Sequence, residues 1–279
     1  SAVQTLPQAA SCSGIRPALL PRDSGGSGAP GLLREGPWVG GPGPDPGDEP
    51  LLLSRALPDM PVLVGARRAE GAREFLARGG RADLFLLDDG FQHRPLARDR
   101  DLVLLDARRP FGNGRLLPAG TLREPPPALC RADHLLLTGM RPGEPIAAAV
   151  LRAMDRFAPS APRTRAWVRP RGLAALGGAE ASPPSLHGLA VHGVAAIGRP
   201  ERFRALLEEA GARVEGCSVF RDHHRFGLEE VRELEGAARG RGLALVTTGK
   251  DAVRLAAHAD PSAPWWVLDI TLEVEGGWD

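Results

Sequence analysis

The segment Leu84-Phe85-Leu86-Leu87-Asp88-Asp89-Gly90 constrains this chain more than any other. Four apolar residues end abruptly in two adjacent carboxylates and a glycine. A run that is apolar on both faces suits a parallel strand covered on both sides, and α/β sheets place their ligands at the carboxyl ends of such strands. Adjacent acids at that edge suit a hard cation such as Mg²⁺, which takes oxygen ligands and commonly bridges to phosphates. A strand followed by a polar turn accounts for the same residues, and this fragment alone leaves both readings open.

The rest of the chain repeats the pattern. Short apolar runs at 62–64, 84–87, 102–105, 134–138, 190–197, 213–219, 244–247 and 265–270 read as strands. Helical patterns at 51–57, 69–78, 141–157, 200–210, 228–239 and 251–258 separate them. Alternation of this kind predicts α/β architecture with parallel sheets. Residues 1–47 read as an irregular segment, because Gly and Pro crowd Asp23 to Gly47. Residues 161–184 read as a crossover, giving a first domain over 48–184 and a smaller α/β domain over 185–279. With 279 residues, 43% of them hydrophobic, there is ample material for both cores.

Charge narrows the partners. The 35 basic and 34 acidic residues nearly cancel, so bulk electrostatics gives no case for nucleic acid. Cys12, Cys130 and Cys217 are far apart and form no CxxC pair, which argues against a zinc site or a disulfide framework. No apolar run approaches the roughly 20 residues needed to cross a bilayer.

The block continues as Phe91-Gln92-His93, and a second apolar run leads into Asp106-Ala-Arg-Arg-Pro-Phe-Gly-Asn-Gly-Arg-Leu-Leu-Pro-Ala-Gly-Thr-Leu-Arg-Glu-Pro125. This stretch resembles the tetraacyldisaccharide 4′-kinases of lipid A biosynthesis, whose hallmark is a DDGFQH-type strand end followed by FGNGRLLPAGPLREP. Gly47-Asp48-Glu49-Pro50, Asp222-His223-His224 and Thr247-Thr-Gly-Lys-Asp251 match further pieces of the family in the same order. The resemblance implies a P-loop-kinase-like parallel-sheet domain, truncated at its N-terminus, plus a smaller Rossmann-like C-terminal domain. It implies ATP and Mg²⁺, a lipid A disaccharide precursor as acceptor, and peripheral contact with the cytoplasmic face of the bacterial inner membrane.

The resemblance also implies roles. Asp88, Asp89 and Glu124 would form the Mg²⁺ shell, Asp48 would accept the proton of the attacking hydroxyl, and His223 would be its partner. Arg123, Gln92 and His93 would contact substrate or phosphate. Plainer readings stand beside these: an N-cap for Asp48, a surface ion pair for Arg123 and Glu124, and a helix cap by Thr248 for the TTGKD piece. That last piece is not a Walker A loop, because Ala244 stands where a glycine is required and Asp251 where Ser or Thr is. The family's GGTGKTP-like loop has no counterpart in these residues. On the fit that sets Gly14-Ile-Arg-Pro-Ala-Leu-Leu20 on the family's GLRPALL segment, its first strand, loop and following helix are expected to be missing. The alternative expectation is therefore an inactive or incomplete kinase that at most binds the precursor.

Overall fold

The computed structural model describes residues 2–21, 31–33, 38–39, 48–65, 67–176, 183–222, 224–260, 262–263 and 265–276. In chain order the elements are α1 (Ala2–Cys12), β1 (Pro17–Leu20), β2 (Gly31–Leu33), β3 (Trp38–Val39), α2 (Asp48–Ala56), β4 (Val62–Val64), α3 (Arg68–Ala77), β5 (Leu84–Leu87) and β6 (Leu102–Asp106). After a 3₁₀ turn at Pro126–Arg131 come β7 (His134–Thr138), α4 (Ala148–Phe157), β8 (Arg163–Ala175), β9 (Ala190–Ala195), α5 (Pro200–Glu209), β10 (Arg213–Val219), α6 (Leu228–Arg241), β11 (Ala244–Thr247), α7 (Gly249–Leu255) and β12 (Trp265–Val274). They form two compact units, one of Ser1–Asp45, Asp59–Val168 and Leu272–Asp279, the other of Pro46–Pro58 and Arg169–Thr271.

The first unit holds a sheet in the order β3-β2-β4-β1-β5. β1 runs parallel to β4 and β5, and β2 pairs antiparallel with β4 and β3. All four residues of β1, Pro-Ala-Leu-Leu, are buried, as a strand with parallel neighbours on both sides should be. Ala18, Leu20 and Leu63 pack there against Phe75 of α3 and Phe85 of β5. In the same unit β6, β7 and β8 run parallel in that order, and Leu105, Leu135 and Leu137 pack on Met154 of α4.

In the second unit β10, β9 and β11 are mutually parallel, and β12 follows on the far side of β11. The alternation along β11 divides its side chains between two cores. Ala244 and Val246 pack with Phe203 and Leu207 of α5, while Leu245 packs with Val231 of α6 and Leu255 of α7. Helices thus cover both faces, which is why Ala244 to Val246 are all apolar. α6 carries Glu229 and Glu230 in its first turn and Arg239 and Arg241 in its last, as the helix dipole favours. It stops at Gly242, whose φ of +63° closes the helix in the left-handed conformation.

Three expectations change. Residues 1–47 are not irregular throughout, since they contribute α1 and the buried β1. α1 precedes the Gly14–Leu20 segment and tolerates Pro7 inside it. The anticipated crossover over 161–184 contains the 13-residue strand β8, and α4 starts at Ala148 rather than 141 because Gly143 (φ +74°) and Pro145 cannot continue a helix.

Candidate functional site

The acids of the opening motif sit at the carboxyl edge of β5. Leu87 lies in register with Leu20 of β1, and the Asp88 N–H donates to the Leu20 carbonyl at 3.2 Å, so the two strands end together. Asp89 then takes a left-handed conformation, φ +50°, and is the one non-glycine residue to do so among those described. Asp tolerates this region better than most residues, but the conformation still costs energy and concentrates at functional sites. Gly90 follows because a β-carbon there would lie 2.7 Å from Leu87 Cβ. The turn closes with the His93 N–H donating to the Gly90 carbonyl at 2.9 Å.

Arginines cluster around this turn and around Glu124. Arg123 Nη1 donates to Asp89 Oδ1 at 2.6 Å and also to Oδ2. Arg131 lies with its guanidinium 4.4 Å from the Phe91 ring centroid and donates from Nη2 to Glu124 Oε1 at 3.0 Å. Arg94 approaches the other Glu124 oxygen at 3.5 Å. The three carboxylates expected to share one cation therefore do not converge. Among the described residues no group of three His, Cys, Asp or Glu is placed to hold a metal. Glu124 faces Arg131, which its stacking on Phe91 holds in place. Arg131 was not among the expected site residues, since it lies beyond the motif that ends at Pro125.

The loop that delivers Arg123 is held by its own polar groups. Asn113 Nδ2 donates to the Ala119 carbonyl, and Asn113 Oδ1 accepts from the Arg115 N–H at 3.1 Å. The Leu117 and Leu122 N–H groups close the loop on Leu122 and Arg115, around a cis peptide at Leu117–Pro118. Gly112 and Gly114 both have positive φ, and a β-carbon at Gly120 would fall 2.2 Å from the Arg115 carbonyl oxygen. This is the physical content of the GNG and PAG elements of the motif.

Asp88, Asp89, Gln92, Arg123 and Glu124 line one cleft of ≈ 920 Å³ in the first unit. His93 is half-buried beside it. Burial, reinforced by the Arg68 and Arg98 cations, pushes its imidazole below the ordinary histidine pKa, so it is neutral at pH 7. Arg98 also fixes the segment, donating to the His93 carbonyl at 2.6 Å while pairing with Asp101.

The second unit holds the other expected residues. Asp48 is the first residue of α2, and its side chain lies outside the described structure, as does His223 entirely. His224 stacks on Phe220 at 4.8 Å and its Nε2 lies 2.8 Å from Glu230 Oε2, an arrangement that locks the imidazole into packing. The TTGKD piece resolves as a helix cap. Thr248 Oγ1 accepts from the Asp251 N–H and donates to Asp251 Oδ2 at 2.7 Å. The same fully buried carboxylate accepts from the Ala196 N–H at 3.0 Å and pairs with Arg254 at 3.1 Å. Arg254 in turn donates to the His224 carbonyl at 2.9 Å. α2 packs on α7, with Leu52 Cδ1 only 3.5 Å from where a β-carbon on Gly249 would be. α7 thereby braces both the helix that begins at Asp48 and the loop that carries the histidine pair, a role the sequence did not reveal.

Parallel strands that end in adjacent carboxylates, with Arg123 paired to one of them, define an α/β protein that takes its ligand at a strand edge. The comparisons with known proteins specify it further. The chain belongs to the tetraacyldisaccharide-1-P 4′-kinase family, whose model matches residues 1–279. A tetraacyldisaccharide 4′-kinase of Syntrophus aciditrophicus is 40% identical over 273 residues, covering 94% of this chain and 73% of its own length. One from Anaeromyxobacter dehalogenans is 44% identical over 247 residues, and there the match spans 87% of this chain and 65% of the relative. A crystal structure of LpxK from Aquifex aeolicus in complex with ATP superposes with a TM-score of 0.71 at 26% identity, over 99% of this chain and 80% of that one.

Proposed function

We propose that this protein is a kinase that transfers the γ-phosphate of ATP to the 4′-hydroxyl of a tetraacyldisaccharide 1-phosphate, giving lipid IVA. The carrying observation is the Asp88–Asp89 pair at the carboxyl edge of β5, lining a cleft with arginines beside it. The printed activity of the relatives and the ATP complex of the Aquifex protein support the same reading. The oxygen donors of Asp88 and Asp89 suit Mg²⁺, with Glu124 a contributor only if it leaves Arg131. Bound there, Mg²⁺ would neutralise charge on the transferring phosphates.

The chain's own groups would do the rest. Asp88, half-buried at a strand end, is held in position by the backbone. Arg123 is exposed enough to exchange its contact with Asp89 for a phosphate oxygen, and its fork geometry suits that ligand. Gln92 and the neutral His93 would offer hydrogen bonds to substrate without adding charge. Asp48 would take the proton from the attacking hydroxyl, and His223 would orient or tune it. We place the reaction at the cytoplasmic face of the inner membrane through peripheral contact. Among the described residues no helix is long and apolar enough to cross a membrane.

The test is calorimetric binding of Mg²⁺-ATP followed by phosphate transfer to the disaccharide acceptor, with Asp88→Ala and Asp48→Ala as comparisons. Transfer that both substitutions abolish supports the reading. Precursor binding without ATP binding or transfer favours a non-catalytic protein, and phosphate release from the acceptor without ATP favours a phosphohydrolase.

A further inference from the structure

The loop between β6 and the 3₁₀ turn holds apolar side chains out in solvent. Leu116 is 45% and Leu117 61% exposed, and Pro118 and Ala119 beside them are exposed as well. On a slack loop such residues would fold back and cover themselves. Here the Leu117 N–H donates to the Leu122 carbonyl and the Gly120 N–H to the Leu116 carbonyl, both at 2.9 Å, and Asn113 Nδ2 donates to the Ala119 carbonyl at 3.0 Å. The braced backbone keeps the Leu116–Ala119 tip outward, against the tendency of apolar surface to leave water. Single exposed leucines are ordinary, but four consecutive apolar residues at one braced tip mark a contact surface.

The charge of the same loop points to what covers the tip. From Ala107 to Arg123 there are four arginines and no acid. Arg108 pairs with Glu144 and Arg123 with Asp89, whereas Arg109 and Arg115 are exposed and pair with no carboxylate among the described residues. Four residues at a loop tip are too few for a specific protein interface, which takes roughly 20–30 residues a side, while a bilayer asks for no matching shape. We propose that the Leu116–Ala119 tip inserts into the interface of an anionic lipid bilayer, with Arg115 and Arg109 on the headgroup phosphates. Because the backbone is already braced, little ordering entropy opposes insertion. The same loop delivers Arg123 to the cleft that holds Asp88 and Asp89, so a docked tip brings that cleft to the membrane surface. The inference extends the peripheral contact of the proposed function by naming the residues that make it.

The test is flotation of the 279-residue chain with vesicles of phosphatidylcholine, alone or with about one-third phosphatidylglycerol. The parent binds the anionic vesicles more tightly than the neutral ones. Leu117→Gln weakens that binding about tenfold. Arg115→Gln weakens it about fivefold at about 0.1 M salt and by less at about 0.5 M. Val219→Gln, which alters a comparably exposed residue of the second unit, leaves it unchanged. Leu117→Trp adds an indole that bromine-labelled acyl chains quench beyond any quenching in the parent. No binding to anionic vesicles, unchanged binding in Leu117→Gln, or no added quenching in Leu117→Trp overturns the proposal. So does self-association of the parent without lipid that Leu117→Gln removes, because the tip would then serve a second copy. Phosphate transfer is read separately: to a detergent-dispersed acceptor it persists in Leu117→Gln, and on vesicles it falls with binding. A parent that binds vesicles but transfers no phosphate strikes the kinase reading and leaves the docking tip standing.

Discussion

Asp251→Ala should be among the most destabilising single changes in the second unit, and the reasons are additive only in part. The Asp251 carboxylate is fully buried and holds the Ala196 N–H, the Thr248 hydroxyl and the Arg254 guanidinium, whose side chain is 8% exposed. Removing one side of a buried ion pair costs about 3–5 kcal/mol, because the other charge stays behind without its counter-ion. The orphaned Ala196 N–H and the weakened cap of α7 belong to the same site, so their costs overlap with that figure rather than adding to it. We take about 4 kcal/mol, which corresponds to roughly a thousandfold change in an opening equilibrium. Two compact units make a single global transition a poor measure. The assay is therefore amide exchange of residues 190–196 and 244–255 under conditions where exchange reports the opening equilibrium. The control is Asp251→Ala with Arg254→Met, which removes both charges and should recover part of the loss. Less than about tenfold faster exchange in Asp251→Ala, or a double variant worse than the single one, would refute the buried-pair reasoning.

Three further outcomes are expected. Asp89→Gly relieves the left-handed backbone at φ +50° and gives up the partly exposed ion pair with Arg123, so thermal stability should hold or rise by about 1 kcal/mol; a clear drop in the melting temperature contradicts this, and phosphate transfer should fall in the same variant. Gly120→Ala drives a β-carbon into the Arg115 carbonyl and should cost about 1–3 kcal/mol, read as faster tryptic cleavage after Arg115 than in the parent. The two-pronged hydrogen bond from Arg16 holds the Asp83 carboxyl down to about 2. Its folded value lies below the unfolded one of about 3.9, so its stabilisation is full above about pH 4 and is lost as pH falls towards 2. Carboxyl NMR of Asp83 should titrate near 2 in the parent and move up in Arg16→Gln, and a parent midpoint near 4 counts against the pairing.

Much of the sheet was legible because its strands are short, apolar and bounded by turns. β4, β5, β7, β10 and β11 fall where periodicity puts them. β1 was not legible, because its four residues, Pro17 among them, sit between segments rich in Gly and Ser, and only its parallel neighbours make it a buried strand. β8 was hidden by Pro170 and by the alternation of Arg with Trp and Val, which reads as polar until Ala166 is seen buried against Leu136 and Leu272. At the site, the turn carrying Asp88 and Asp89 was evident from residue order alone. The contacts of Arg123 with Asp89 and of Arg131 with Glu124 were not, because they join residues 34 and 7 positions apart through a folded loop. The burial of Asp251 was hidden for the same reason, since the contact that draws its carboxylate inward, from the Ala196 N–H, joins residues 55 positions apart.

The packing of α2 on α7 has a consequence for biogenesis. α2 ends at Ala56 and its support begins at Gly249, so roughly 190 residues separate them on the emerging chain. At about 5–20 residues per second the ribosome needs on the order of 10–40 s to bridge that interval. For that time the helix that starts at Asp48 has no α7 to dock on, and at nine residues it is too short to persist alone in water. The first unit can gather strands β4 to β7 meanwhile, but the segment bearing Asp48 must wait until α7 has been made. Termination between the end of β7 at Thr138 and Gly249 therefore releases a polypeptide with the Asp88–Asp89 turn in place and the α2 segment unsupported.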